Sequence, residues 1–119
     1  MLYSFSIIKL LVIMFNLLRS LMGGGENPEL AQIVKSGAYL VDVRTPEEFS
    51  SGHVKGSVNI PLDSIPKQLA KFKGKSHIVV FCRSGNRSGQ AKAFLNQNGF
   101  GNVTNGGTWQ DINAILNTK

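Results

Sequence analysis

The 119-residue chain has a single cysteine, Cys82, so no internal disulfide can hold it and its fold must rest on a buried core. Acidic side chains are scarce: seven Asp and Glu stand against thirteen Lys and Arg, a formal charge of +6. With Lys9 and Arg19 set aside as part of the N-terminal segment, eleven basic side chains remain and the charge falls to +4. The densest basic patch, Lys67, Lys71, Lys73 and Lys75, lacks the interleaved aromatics of a single-stranded nucleic-acid platform, and no nucleic-acid partner is expected. It reads as a solvated face with a weak pull on small anions. Repeats and low-complexity tracts are missing, and 42% hydrophobic with 17% charged residues suits one globular domain.

A long uninterrupted apolar run is also missing. Residues 1–22, MLYSFSIIKLLVIMFNLLRSLM, are broken by Lys9, Asn16 and Arg19, and the apolar core Leu10 to Phe15 is too short to span a bilayer. Leu10 to Leu18 could serve as the apolar region of a signal peptide, but Arg19 follows it and there is no A-x-A-like cleavage site. On a helix Lys9, Asn16 and Ser20 fall within about 40° of one another, a narrow polar stripe suited to an interfacial helix or to packing on the domain or a second copy. The expected organisation is a hydrophobic, signal-like or membrane-associating segment over 1–22, a Gly-rich joint over 23–26, and a folded domain over 27–119. A cell-envelope location, exported or membrane-associated, is preferred over a cytoplasmic one.

What the domain does contain is an alternation of helix and strand signals. Asn27 caps a first helix, with Pro28 at its first position, Leu30, Ile33 and Val34 inward, and Gly37 as its stop. AYLVDV then runs apolar without alternation, as a strand buried on both faces does, ending at Asp42. Thr45, Pro46 and Glu48 supply the parts of a capping box for a second helix that Gly52 ends. SVNIP predicts a short strand stopped by Pro61, and SIPKQLAKF a helix with Ile65, Leu69 and Phe72 inward. HIVVF is the clearest strand. Ala91, Phe94 and Leu95 line a helix running to Asn98, with Gly99 at its C′ position. NVTN predicts a last strand, and Trp109, Ile112 and Leu116 one face of a terminal helix. The pattern implies an α/β fold, a mainly parallel sheet with helices on both faces. In such sheets the site lies beyond the carboxyl ends of the strands, where Asp42, Cys82 and Asn105 stand.

Cys82 sits where HIVVF ends, in the loop CRSGNRS before a helix expected to begin near Arg87 or Ser88. Residues 83–87 can curl around the sulfur with their N–H groups pointing inward, making an anion nest at a helix N-terminus. Arg83 and Arg87 would add two cations, and a thiolate would be favoured without a base. No Cys–His pairing supplies one: His77 should lie roughly 16 Å away at the other end of the strand, at about 3.3 Å per residue. His53 is expected to bond backbone. The loop residues Arg83, Ser84, Gly85, Asn86, Arg87 and Ser88 are therefore the expected anion-binding site around a catalytic Cys82.

With VDVRTPEEF, SGHVKGSVNIPL and CRSGNRSGQAKAFL in this order, the chain resembles a single-domain rhodanese, a thiosulfate sulfurtransferase, over about residues 27–117. Its ending NVTNGGTWQDI resembles the small exported rhodaneses of the phage-shock type. The resemblance implies a rhodanese-like fold and a double displacement in which Cys82 takes sulfane sulfur from thiosulfate or another persulfide donor. It then passes that sulfur to cyanide or a thiol, with no metal and no cofactor. Asp42 and Arg44 match the family's Asp-x-Arg stretch, with Asp42 bracing loops and Arg44 paired with Glu48 or Glu47. Two alternatives share the architecture: a non-enzymatic sulfur carrier or binding module, and a cysteine-dependent phosphatase or arsenate reductase. The phosphatase signature places Arg after five residues. Here Arg87 comes after four, Ser88 takes the phosphatase position, and Phe81 rather than His precedes the cysteine.

Overall fold

A computed structural model describes residues 27–118 together with Leu11. The expected N-terminal helix over 1–22 and the joint over 23–26 lie outside the described residues. No described helix is long and apolar enough to cross a membrane.

Helix α1 (Pro28–Lys35) starts where Asn27 accepts from the Glu29 and Leu30 amides at 3.1 and 3.2 Å. Strand β1 (Tyr39–Asp42) leads to α2 (Pro46–Ser50), whose capping box is closed in both directions between Thr45 and Glu48. After β2 (Val58–Asn59) the chain makes two 3-10 turns, Leu62–Lys67 and Leu69–Phe72. The α-helix expected over SIPKQLAKF does not form. Pro66 lies inside the first turn, and a proline there offers no N–H and crowds the carbonyl four residues back. The tighter turns still bury Ile65 and Phe72, so the apolar spacing holds while the helix type differs.

Strand β3 (Ile78–Cys82) begins one residue after His77 and takes in the cysteine. It is followed by α3 (Asn86–Gln97), β4 (Val103–Thr108) and α4 (Trp109–Asn117). Helix α3 starts at Asn86, ahead of the expected Arg87 or Ser88, and Gly99 follows it at φ 92° as a C′ glycine should. In α4 it is Ile115, not Leu116, that packs inward with Trp109 and Ile112, and Leu116 is exposed. Both residues fit a helical period from Ile112, one at i+3 and one at i+4.

The four strands form one parallel sheet in the order β2-β1-β3-β4. Side chains alternate across it. Ile78, Val80 and Cys82 join Val41, Ile65, Phe72, Ala91 and Leu95 on the face under α3 and the 3-10 turns. Val79 and Phe81 join Leu30, Val34, Val54 and Ile112 on the face under α1 and α4. Both faces are thus covered, as the unbroken apolar runs predict. Between Val80 and Phe81 the pairing with β4 slips by one residue, from Asn105 to Gly107, so that Gly106 is the extra residue. A Cβ at Gly106 would stand 2.8 Å from both Ile112 Cδ1 and Val79 Cγ1, so only glycine lets β4 come this close to the second core.

At the carboxyl end of β1, Asp42 and Arg44 form a buried ion pair. The Arg44 amide and Nε donate to Asp42 Oδ1 at 3.0 and 2.9 Å, and Nη2 donates to Oδ2 at 2.7 Å. Nη2 also donates to the Gly52 carbonyl at 2.7 Å, and the guanidinium lies 4.7 Å from the Trp109 ring centroid. Arg44 therefore pairs with Asp42 rather than with Glu48 or Glu47: the short turn folds it back on its own neighbour. Asn59 ties the same turn to β2 by donating to the Asp42 and Arg44 carbonyls at 3.0 and 2.9 Å. Removing one partner of a buried pair strands the other charge without water. Arg44→Met should cost about 3–5 kcal/mol in urea unfolding of the full chain, and a loss within experimental error of zero would contradict this account of the turn.

Candidate active site

The loop that follows β3 turns at Gly85, which holds φ 92° as the N-cap of α3 and brings its own amide round to the sulfur. The Gly85 N–H donates to Cys82 Sγ at 3.0 Å, and the Ser88 hydroxyl lies 3.4 Å from the same atom. The backbone N–H groups of Ser84 and Ser88 also favour negative charge on the sulfur. Cys82 is 0% exposed. Burial pushes its thiol pKa up, but the Ser88 hydroxyl and the amides of Ser88, Ser84 and Gly85 outweigh burial, and the net direction is down from the ordinary value.

The expected loop residues fall into two sets. Ser88 is buried on the protein side of the sulfur, whereas Arg83, Ser84 and Asn86 are exposed on the solvent side. The two arginines also part company. Arg87 is bound in a fork by Glu48 of α2, Nη1 to Oε1 at 2.7 Å and Nη2 to Oε2 at 2.9 Å. Its hydrogen bonds go to Glu48, and its charge acts on Cys82 only across space, as a lesser influence than that ion pair. Among the described residues Arg83 makes no ion pair. The Arg87 fork holds the Glu48 carboxyl well below the usual range, at about 2, against a smaller upward push from burial, and Thr45 adds to the lowering. The stability this pair contributes is present above the ordinary glutamate pKa and is lost as the pH falls toward 2.

Asn105 has a larger part in the loop than its place on a strand suggests. Its Oδ1 accepts from the Ser88 hydroxyl at 2.7 Å and from the Gly107 amide at 3.0 Å, while Nδ2 donates to the Gly85 carbonyl at 3.1 Å. One amide side chain thus holds both ends of the loop around Cys82. In the sequence Asn105 stands out only as a polar residue near a strand end, and Glu48 as a helix cap and a candidate partner of Arg44; the cap forms, and the long-range partner is Arg87. Neither long-range bond has a local signal, since the partners lie 17 to 39 residues apart. The two histidines stay away from the sulfur's hydrogen bonds: His53 Nδ1 bonds the Phe49 carbonyl at 2.9 Å, and His77 Nε2 lies 3.4 Å from the Thr104 hydroxyl. Chemically, then, the site is a sulfur cradled by amides at the start of a helix, able to carry negative charge without a neighbouring base.

Residues 26–108 match the family model of the rhodanese-like domain. Thiosulfate sulfurtransferase PspE of Escherichia coli strain K12 is 36% identical over 81 residues, 66% of this chain and 78% of that protein. Among solved structures, a rhodanese with anions from E. coli aligns at a TM-score of 0.57 and 36% identity, covering 61% of this chain and 88% of that one. The human single-domain sulfurtransferase TSTD1 aligns at a TM-score of 0.61 and 28% identity, covering 77% and 94%. The parallel sheet, the cysteine loop at its carboxyl edge and a family match running from before α1 to the end of β4 agree: the chain belongs to the rhodanese-like domain family.

Proposed function

We propose that this rhodanese-type enzyme is a sulfurtransferase that carries sulfane sulfur on Cys82, from thiosulfate or another persulfide donor to a thiophilic acceptor, cyanide in vitro and a thiol in the cell. The observation that carries this reading is the Gly85 amide donating to Cys82 Sγ at 3.0 Å, in a loop where the Ser88 hydroxyl and the amides of Ser88, Ser84 and Gly85 lower the thiol pKa. A sulfur whose negative charge is favoured in this way is a stronger nucleophile without a general base beside it.

In the first step the Cys82 thiolate attacks the outer sulfur of thiosulfate. A new S–S bond forms, the S–S bond of thiosulfate breaks, and sulfite leaves with the bonding pair. Cys82 is then a persulfide, whose negative outer sulfur the loop amides can hold. In the second step the acceptor attacks that outer sulfur and the Cys82 thiolate leaves. The donor approaches from the solvent side of the loop, where Arg83 is exposed and its guanidinium can meet the sulfonate oxygens. Arg87 acts from its fork with Glu48 by holding the first turn of α3 in place.

Cys82→Ser should abolish thiosulfate:cyanide turnover and remove a mass gain of about 32 Da, one sulfur atom, after thiosulfate treatment; the gain persisting in the variant would sink the assignment. The wild type should leave p-nitrophenyl phosphate unhydrolysed, and the reverse pattern would place the chain among phosphatases. Arg83→Ala should raise the thiosulfate KM roughly tenfold with little change in kcat, as loss of one charge-assisted contact to the donor does. An unchanged KM would remove Arg83 from donor recognition.

A further inference from the structure

The Ser88 hydroxyl has one proton and two neighbours that can accept it. Asn105 Oδ1 lies 2.7 Å away and Cys82 Sγ 3.4 Å away. The direction of the Asn105 amide is set by backbone groups of opposite polarity, because Gly107 N–H must face its oxygen and the Gly85 carbonyl its nitrogen. The oxygen is therefore what Ser88 meets, and Ser88 must donate to it. A hydroxyl that has donated its proton turns only lone pairs toward the sulfur. That arrangement suits a protonated Cys82, whose S–H can donate to Ser88. A sulfur anion needs the reverse, with the hydroxyl swung round to donate to it and the bond to Asn105 given up.

We propose that Asn105 is a positioning residue for Cys82: it competes with the sulfur anion for the single proton of Ser88 and so sets how readily the loop charges its sulfur. The release of this proton is affordable for Asn105, whose oxygen keeps the Gly107 amide when Ser88 turns away. A device of this kind suits a sulfur that is alternately a thiolate nucleophile and a leaving group, because both states draw on the same hydroxyl. The catalytic consequence rests on the sulfurtransferase reading above, but the competition itself is a property of the thiol and is measured without turnover.

The charged groups on the elements around the loop are Asp42 at the end of β1 and Arg44 after it, Glu47 and Glu48 on α2, Asp63 and Lys67 on the first 3-10 turn, Arg83 in the loop, Arg87 and Lys92 on α3, and Asp111 on α4. Substitution at 88 or 105 leaves all of them in place. Asn105 is exposed, so its replacement opens no hole in either core.

The test is a cycle of full-length proteins, wild type, Asn105→Ala, Ser88→Ala and the double variant, each with its Cys82 pKa read from the pH dependence of iodoacetamide alkylation. Asn105→Ala should lower the pKa by about 0.5–1, the difference between a hydrogen bond to a charged group and a neutral one. Ser88→Ala should raise it, and adding Asn105→Ala to Ser88→Ala should change nothing. Asn105→Leu, closer in volume, should repeat the Asn105→Ala result and serves if the alanine variant folds poorly. A pKa that is unmoved or raised in both Asn105 variants would overturn the proposal. So would the same drop in the absence of Ser88, which would route the effect through the Gly85 carbonyl. Failure of the wild type to gain sulfur from thiosulfate would count against the sulfurtransferase reading and leave this cycle intact.

Discussion

A buried sulfur that receives backbone amide hydrogens is the constraint on which the rest of the structure depends. Cys82 has no exposed surface, and burial alone would keep its thiol protonated. The Ser88 hydroxyl and the amides of Ser88, Ser84 and Gly85 reverse that preference. They can do so because the loop turns through a left-handed glycine into the first turn of a helix, where N–H groups have no partners of their own. A side-chain base would have to be brought in from elsewhere in the chain. The amides come with the turn.

The surrounding contacts hold that turn in shape, and they do so from three directions. The Glu48–Arg87 fork joins α2 to the first turn of α3. The Asp42–Arg44 pair stiffens the end of the neighbouring strand and spends its charge internally, against Gly52 and Trp109. Asn105 reaches across from β4 to both Gly85 and Ser88. It does so beside the register slip that Gly106 permits. Among the described residues Arg83 in the loop is exposed and makes no ion pair, which leaves a cation at the face where an anionic donor would arrive.

Much of this was legible in the sequence wherever a physical rule acts over a few residues. The caps at Asn27 and Thr45, the unbroken apolar strands buried on both faces, and the helix stop at Gly99 all follow from short-range spacing. So does the placement of Cys82 at the carboxyl edge of a parallel sheet. The errors came where local rules compete or reach their limit. Over SIPKQLAKF the apolar period does not fix the helix type, and Pro66, inside the turn Leu62–Lys67, leaves that stretch without an amide for an α-helical ladder. In α4, Ile115 and Leu116 fit the period equally well, and tertiary packing chose between them. The partners of Arg44, Arg87 and Ser88 could not be read from spacing, because two acidic candidates lay near Arg44 and the other pairs form only when distant segments meet.

The sulfur's ionisation is the quantity that ties the fold to the chemistry, and it can be measured on the intact protein. Alkylation of wild-type Cys82 by iodoacetamide across a range of pH should follow an apparent pKa clearly below that of a free cysteine side chain, about 8.5. A value at or above that figure would mean that burial wins over the loop amides, and the cradle described here would have no bearing on reactivity.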